Sequence, residues 1–203
     1  MHNTQEKQWA LDEVCDQHGY DDLDSMGIDP HVTFINWLKE YYNKKEVGVV
    51  DVGCGSGRLL KFLPENVKRY IGVDISQKCI NIANDYFEES DKVKFHLFDI
   101  EEENLKEVVD SKIDIIYFDS TFTLLYKPLE CLSKLFEFCD VVYLGRTPYN
   151  ELVTSVTPHR WDGMNSLSSN WKFSRRSLEE TVPNGWNVID INQTDVILKR
   201  NFE

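Results

Sequence analysis

A chain of 203 residues with 41% apolar and 28% charged side chains has enough material for one buried core and is not composed like a disordered segment. Its formal net charge of -13 argues against a nucleic-acid partner, because a phosphate backbone would be repelled unless a local basic patch overcame the field. The five cysteines form no C-x-x-C and no histidines sit at metal-ligand spacing, so neither a disulfide framework nor a metal site is expected.

The N-terminal forty residues read as helical. Gln5 to His18 carries Trp9, Leu11, Val14 and Cys15 in a loose amphipathic pattern, and residues 19–27 form an acidic, turn-rich break. A second helix is expected after Asp29 as N-cap and Pro30 at its first position, burying Phe34, Trp37, Leu38 and Tyr41. The N-terminal stretch has no apolar signal core, and no run approaches membrane-spanning length. A reducing cytoplasm is the expected compartment.

From Val47 strands and helices alternate. Strands are expected over 47–52, 70–74, 93–98, 113–118 and 141–144. Helices are expected from Arg58 until Pro64 stops the first, from a Ser76 cap to about Glu88, over 101–109, and over 128–138. Such alternation implies parallel β-α-β units with right-handed crossovers. Two closing strands, 186–191 and 195–199, are joined by a few polar residues and suit an antiparallel hairpin. The fold class is therefore α/β: a mostly parallel seven-stranded sheet, helices on both faces, and a C-terminal antiparallel hairpin, in three layers. Residues 146–183 read as a long segment without clear structure, whose tryptophans favour an ordered cover. The basic cluster 171–176 reads as a solvated loop and helix start, with an anion site as its alternative.

Strand one runs into Gly53-Cys54-Gly55-Ser56-Gly57. Glycine lets a backbone approach a ligand or take dihedrals that a Cβ forbids. Asp51 stands beside this turn. Asp74 ends strand two, Asp99 follows strand three, and Asp119 follows strand four at the carboxyl edge where open α/β sheets bind ligands. A dinucleotide fold wants G-x-G-x-x-G instead, which makes hydride transfer the weaker enzyme reading.

With these residues the sequence resembles class I S-adenosylmethionine-dependent methyltransferases of the small-molecule type, over roughly Val47 to Arg200. The resemblance implies S-adenosyl-L-methionine as cofactor. Asp51, Gly53, Cys54, Gly55 and Gly57 would then cradle its methionine part, Asp74 would accept both ribose hydroxyls, and Ile75 would pack on the adenine. Asp99 and Ile100 would lie at the adenine ring, and Asp119 and Ser120 at the methionine end. Tyr20 would touch the cofactor carboxylate. Asp119-Ser120-Thr121-Phe122 departs from the Asn/Asp-Pro-Pro-Tyr pattern of nucleic-acid amine methyltransferases.

The expected activity is methyl transfer to an O or N atom of a small molecule. Non-catalytic binding of the cofactor or its demethylated product, and aminopropyl transfer, are the alternatives. His159, of the residue type that ordinarily titrates near neutral pH, and Asp119 are the catalytic candidates. Arg146 and Arg160 are candidates for a substrate carboxylate or phosphate. Trp161, Trp171 and Phe122 are expected to wall the substrate site. The expected organisation is one domain over 1–203: a helical cap at 1–46, a cofactor-binding core at 47–145, a substrate-covering insertion at 146–183 and the hairpin at 184–203. A monomer or homodimer, with no metal and no membrane partner, completes the expectation.

Overall fold

The computed structural model describes residues 22–25, 27–28, 31–42, 46–88, 90–147, 149–150, 155–160 and 167–201, with backbone alone for 41, 149–150, 155–160 and 167–170. The elements in chain order are α1 (Val32–Tyr41), β1 (Val47–Val52), β2 (Val67–Asp74), α2 (Gln77–Tyr86), β3 (Val93–Leu97), β4 (Ile115–Asp119), α3 (Pro128–Leu135), β5 (Val141–Gly145), β6 (Tyr149–Asn150), β7 (Ser155–Arg160), β8 (Leu167–Ser174), α4 (Arg175–Thr181), β9 (Trp186–Asp190) and β10 (Val196–Arg200). Seven strands form one sheet in the order β3-β2-β1-β4-β5-β10-β9. The first five are parallel, and β10 is antiparallel to both β5 and β9, as the terminal hairpin required.

Both faces of the central strands are buried, which is why β4 reads as an apolar run from Ile115 to Phe118 and β1 is apolar apart from Asp51. The pleat sends alternate residues to opposite sides. Val50, Val52, Ile116 and Phe118 join one core with Leu132 and Leu135 of α3 and Leu178 of α4. Val49, Ile115, Tyr117 and Tyr143 join the other with Phe34, Ile35, Trp37 and Leu38 of α1 and Ile80 and Ala83 of α2. Phe34 stacks on Tyr117 with ring centroids 4.1 Å apart and meets Tyr143 edge-on at 4.9 Å. These contacts seat α1 against the middle of the sheet.

Several expected elements differ for identifiable reasons. The N-cap of α1 is His31, not Asp29; the His31 N–H is already committed to Ile28 O at 2.8 Å, so the helix begins later. Asp29, Pro30 and the helix expected over 5–18 lie outside the described residues. Arg58–Phe62 is a 3-10 turn, since Gly57 enters it at φ +84° and Leu63, ahead of Pro64, is extended. The helix expected over 101–109 shrinks to a 3-10 turn at Leu105–Glu107. The Glu102 and Glu103 amides instead close a turn on Asp99 O, and Asn104 is extended. The segment 146–183 is not a loop: β6, β8 and β7 form a second sheet, and α4 follows. Its polar strands pair locally, β7 against β8 antiparallel, which leaves no apolar alternation to read.

Phe34→Ala is expected to cost about 3–5 kcal/mol of stability by opening a cavity on the Tyr117 face, measured by urea unfolding.

Candidate functional site at the carboxyl edge of the parallel strands

The glycine turn takes its shape from left-handed backbone: Gly53, Gly55 and Gly57 have φ of +74°, +54° and +84°. The Gly53 and Cys54 amides both donate to Val73 O, at 2.8 and 3.2 Å, tying the turn to β2. A Cβ on Gly53 would fall 2.0 Å from Thr121 Oγ1, and one on Gly57 would fall 2.8 Å from the Phe95 ring. These two glycines therefore admit neighbouring protein as well as the turn's dihedrals.

Asp74, at the end of β2, accepts from the Gly55 amide through Oδ2 and from the Ser76 amide through Oδ1, each at 2.8 Å. Two amides thus fix the plane of this carboxylate. The cap of α2 is Ser76, whose hydroxyl accepts from Cys79 N, so Asp74 is not spent as a helix cap. Ile75 is half-buried beside it. Asp51 is deeper than expected: it is 2% exposed and accepts from the Tyr70 hydroxyl at 2.7 Å. Burial pushes its carboxyl up to about 7 against the opposing effect of the Tyr70 bond.

Asp99 is buried after β3, accepting from the Glu101 amide while its own amide donates to Glu103. Ile100 is buried next to it. Asp119, at the end of β4, forms a bidentate pair with Arg146, with Nε–Oδ1 and Nη2–Oδ2 both 2.7 Å. Arg146, read as a substrate anchor, is therefore engaged internally. Two backbone positions here are left-handed: Ser120, next to Asp119, has φ +60°, and Arg146 itself has φ +47°. Asp195 supports the latter by accepting from the Arg146 amide at 2.9 Å, and it also accepts from the Tyr143 hydroxyl at 3.1 Å.

Sequence reasoning missed His31. Its Nδ1 lies 3.1 Å from the Tyr117 hydroxyl and 3.5 Å from Asp119 Oδ2, and the residue is 7% exposed. Burial holds its pKa down to about 4, with Asp119 opposing and Arg58 and Arg146 assisting. The readable signal was the β4 alternation, which puts Tyr117 and Asp119 on the face that an amphipathic α1 covers. Arg58 was also missed as a brace. Its Nε donates to Gly27 O at 2.7 Å, and Lys61 donates to Leu23 O, so the segment before α1 lies over the turn that follows the glycines.

The expected substrate wall is changed. Phe122 is fully buried, with Phe118 at 5.4 Å and Phe173 at 4.8 Å; it is a core ring, because the 3-10 turn after β4 points it inward. Trp171 is half-buried and donates to Leu125 O at 2.8 Å, which brings β8 to the exit of β4. The basic cluster 171–176 is the end of β8 followed by the start of α4, with Arg175 paired to Glu179 and Asp190 and Arg176 to Glu180. His159 and Arg160 have backbone places on β7, opposite Ser168 and Leu167. Trp161 and Tyr20 lie outside the described residues. Cys54, Cys79, Cys131 and Cys139 are free and buried, and burial pushes the Cys131 and Cys139 thiols up to about 12. Among the described residues no acidic, histidine and cysteine cluster could hold a metal, and no helix is long and apolar enough to cross a membrane.

Asp51 and His31 give opposite pH slopes. Folding raises the Asp51 pKa from 3.8 to about 7, so it contributes stability at low pH that is lost as pH rises through that window. Folding lowers the His31 pKa from 6.5 to about 4, so its contribution falls as pH falls through that window. Asp51→Asn is therefore expected to make unfolding free energy rise more steeply with pH between 4 and 6.5 than in the unsubstituted protein, measured by denaturant titration across pH.

Residues 43–143 match a family described as a methyltransferase domain. Two curated relatives are a malonyl-[acyl-carrier protein] O-methyltransferase of Acetivibrio thermocellus and ribosomal RNA small subunit methyltransferase A of Streptococcus thermophilus. The first is 37% identical over 39% of this chain and 27% of its own length. The second is 31% identical over 40% of this chain and 29% of its own length. The chain thus spans less than a third of the length of these two relatives. Among solved structures, the magnesium protoporphyrin IX methyltransferase of Synechocystis PCC 6803, with bound S-adenosylhomocysteine, superposes with TM-score 0.58 at 15% identity, covering 85% of this chain and 84% of that one. Residues 43–143 are thus a methyltransferase domain, and with its strand order and glycine turn the chain has the fold of the class I S-adenosylmethionine-dependent methyltransferases.

Proposed function

We propose that this chain binds S-adenosyl-L-methionine across the carboxyl ends of β1 to β4 and transfers its methyl group to an O or N atom of a small molecule. The observation that carries this reading is Asp74, whose carboxylate is aimed by the Gly55 and Ser76 amides at the end of β2. An ionised carboxylate accepts from about four directions, so one held in plane by two amides suits a vicinal diol. The site also lies where the strand order reverses around β1 and β4, the usual ligand crevice of an open α/β sheet. The residues fit the cofactor in another respect. The turn has the left-handed backbone that close approach needs, and Ser56 Oγ is buried within it without a hydrogen-bond partner among the described residues.

The bound cofactor supplies an activated methyl group on a sulfonium, so the chain's task is chiefly orientation and exclusion of water. Asp74 orients the ribose end, Asp99 and Ile100 the base end, and Asp51, Cys54 and the glycines shape the methionine end. Asp119 and Ser120 stand where the methyl group meets its acceptor. Residues 47–145 hold the cofactor in this reading, while 1–46 and 146–183 cover the acceptor.

A small acceptor is favoured over nucleic acid by charge. The chain carries -13 overall, and Arg146, Arg175 and Arg176 each pair with a carboxylate. A polyphosphate needs uncommitted cations. The four free buried cysteines support a reducing compartment.

Asp74→Ala is expected to weaken S-adenosylmethionine binding by about 1–3 kcal/mol through lost hydrogen bonds to a charged group, read by calorimetry. Unchanged affinity would remove Asp74 from the site. Methyl-labelled cofactor incubated with the protein and a cell extract is expected to label a small molecule. Label appearing only in RNA would overturn the assigned substrate class.

A further inference from the structure

We propose that His31 is the base that takes the proton released by the methyl acceptor, with Tyr117 and Asp119 fixing its imidazole. This rests on the methyl-transfer reading and names a residue within that same site. Three independent placements converge on it. His31 stands at the start of α1, which the Phe34–Tyr117 stack presses onto the β4–β5 face. Its ring reaches the carboxyl edge of β4, with Nδ1 3.1 Å from Tyr117 Oη and 3.5 Å from Asp119 Oδ2. The preceding segment is tied to the glycine turn through Arg58 and Gly27, so the histidine lies between the turn and the end of β4.

The surroundings suit a base that is neutral before the reaction and charged after it. The groups acting on the ring are Asp119 and Tyr117 from β4, Arg58 from the glycine-turn side and Arg146 from the end of β5. Burial and the two guanidinium groups keep the imidazole unprotonated at neutral pH. Asp119 stands close enough to stabilise the imidazolium once it forms, while Arg146 locks that carboxylate in a bidentate grip. In the proposed arrangement Nδ1 carries the hydrogen, shared with Tyr117 Oη at 3.1 Å, and leaves Nε2 as the proton acceptor.

The step balances without a further reagent. A lone pair on the acceptor oxygen or nitrogen forms the bond to the methyl carbon. The carbon–sulfur bond breaks, its electron pair stays on sulfur, and the sulfonium becomes a thioether. The acceptor's proton passes to His31 Nε2 and then to solvent. His159, the base expected from sequence, sits on β7 in the second sheet, whereas His31 touches the β4 terminus directly.

The test is His31→Asn, which keeps a side-chain nitrogen near the Nδ1 position and removes Nε2. Transfer of labelled methyl groups into the cell-extract acceptor is expected to fall by about 10²–10⁴-fold, the usual range for loss of a general base. Calorimetric affinity for S-adenosylmethionine is expected to stay unchanged, and added imidazole is expected to restore part of the transfer in His31→Ala. A wild-type rate in His31→Asn, with product formed by both proteins, overturns the base and leaves the methyl-transfer reading intact. Loss of cofactor binding in a folded His31→Asn makes the residue a cofactor ligand and also overturns it. No labelled product from the unsubstituted protein overturns both readings together.

Discussion

The bidentate pair between Asp119 and Arg146 joins the ends of β4 and β5 at the carboxyl edge of the parallel strands. Asp119 has only 9% of its side chain exposed, and a charge removed from water needs both a partner and directed hydrogen bonds. Arg146 meets that need from a left-handed backbone position that a long side chain seldom adopts. The hairpin tip between β9 and β10 supports this geometry. Asp195 accepts the Arg146 amide and the Tyr143 hydroxyl, and Thr194 O accepts the Thr147 amide at 2.7 Å. The antiparallel end of the sheet is therefore joined to the site, because it sets the direction from which Arg146 arrives.

The glycine turn shows the same economy of close contact on the other side of β1. Gly53 leaves room for Thr121, from the turn after β4, and Gly57 leaves room for the Phe95 ring of β3. The turn is thus packed against both neighbours while its Gly55 amide holds Asp74. Asp51, Asp74 and Asp119 stand near enough that the latter two help to raise the Asp51 pKa. Such a group of acids is costly to assemble, and the structure offsets part of the cost with the Tyr70 hydrogen bond to buried Asp51 and the Arg146 pair with Asp119.

The parallel core was legible in the sequence because its signals are local. Apolar runs such as Ile115 to Phe118 are written in consecutive residues, and Ser76 announces the start of α2 by its own hydrogen bond. Asp74 and Asp119 were legible because strand ends can be located from the runs that precede them. The second sheet was not. Its strands are polar and short-range, and Ser155 to Arg160 pairs with Leu167 to Lys172 through backbone rather than through an alternating apolar face. Phe122 was misread for a related reason: a ring beside a strand end is equally consistent with a pocket wall and a core, and only the packing of Phe118 and Phe173 around it decides.

The sequence by itself determined the α/β class, the order of strands and helices in the core, the closing hairpin and the acids at the ends of β2 and β4, all of which follow from periodicity and the strong preferences of glycine, proline and serine. Tertiary structure decided the rest. His31 meets Asp119 across 88 positions of chain, and Arg146 meets Asp195 across 49, so neither pairing leaves a trace in local spacing. Which charges are paired, which acid is buried and which histidine reaches the end of β4 depend on how α1 and the hairpin tip pack against β4 and β5. Packing of that kind is set by the whole core at once rather than by any one segment.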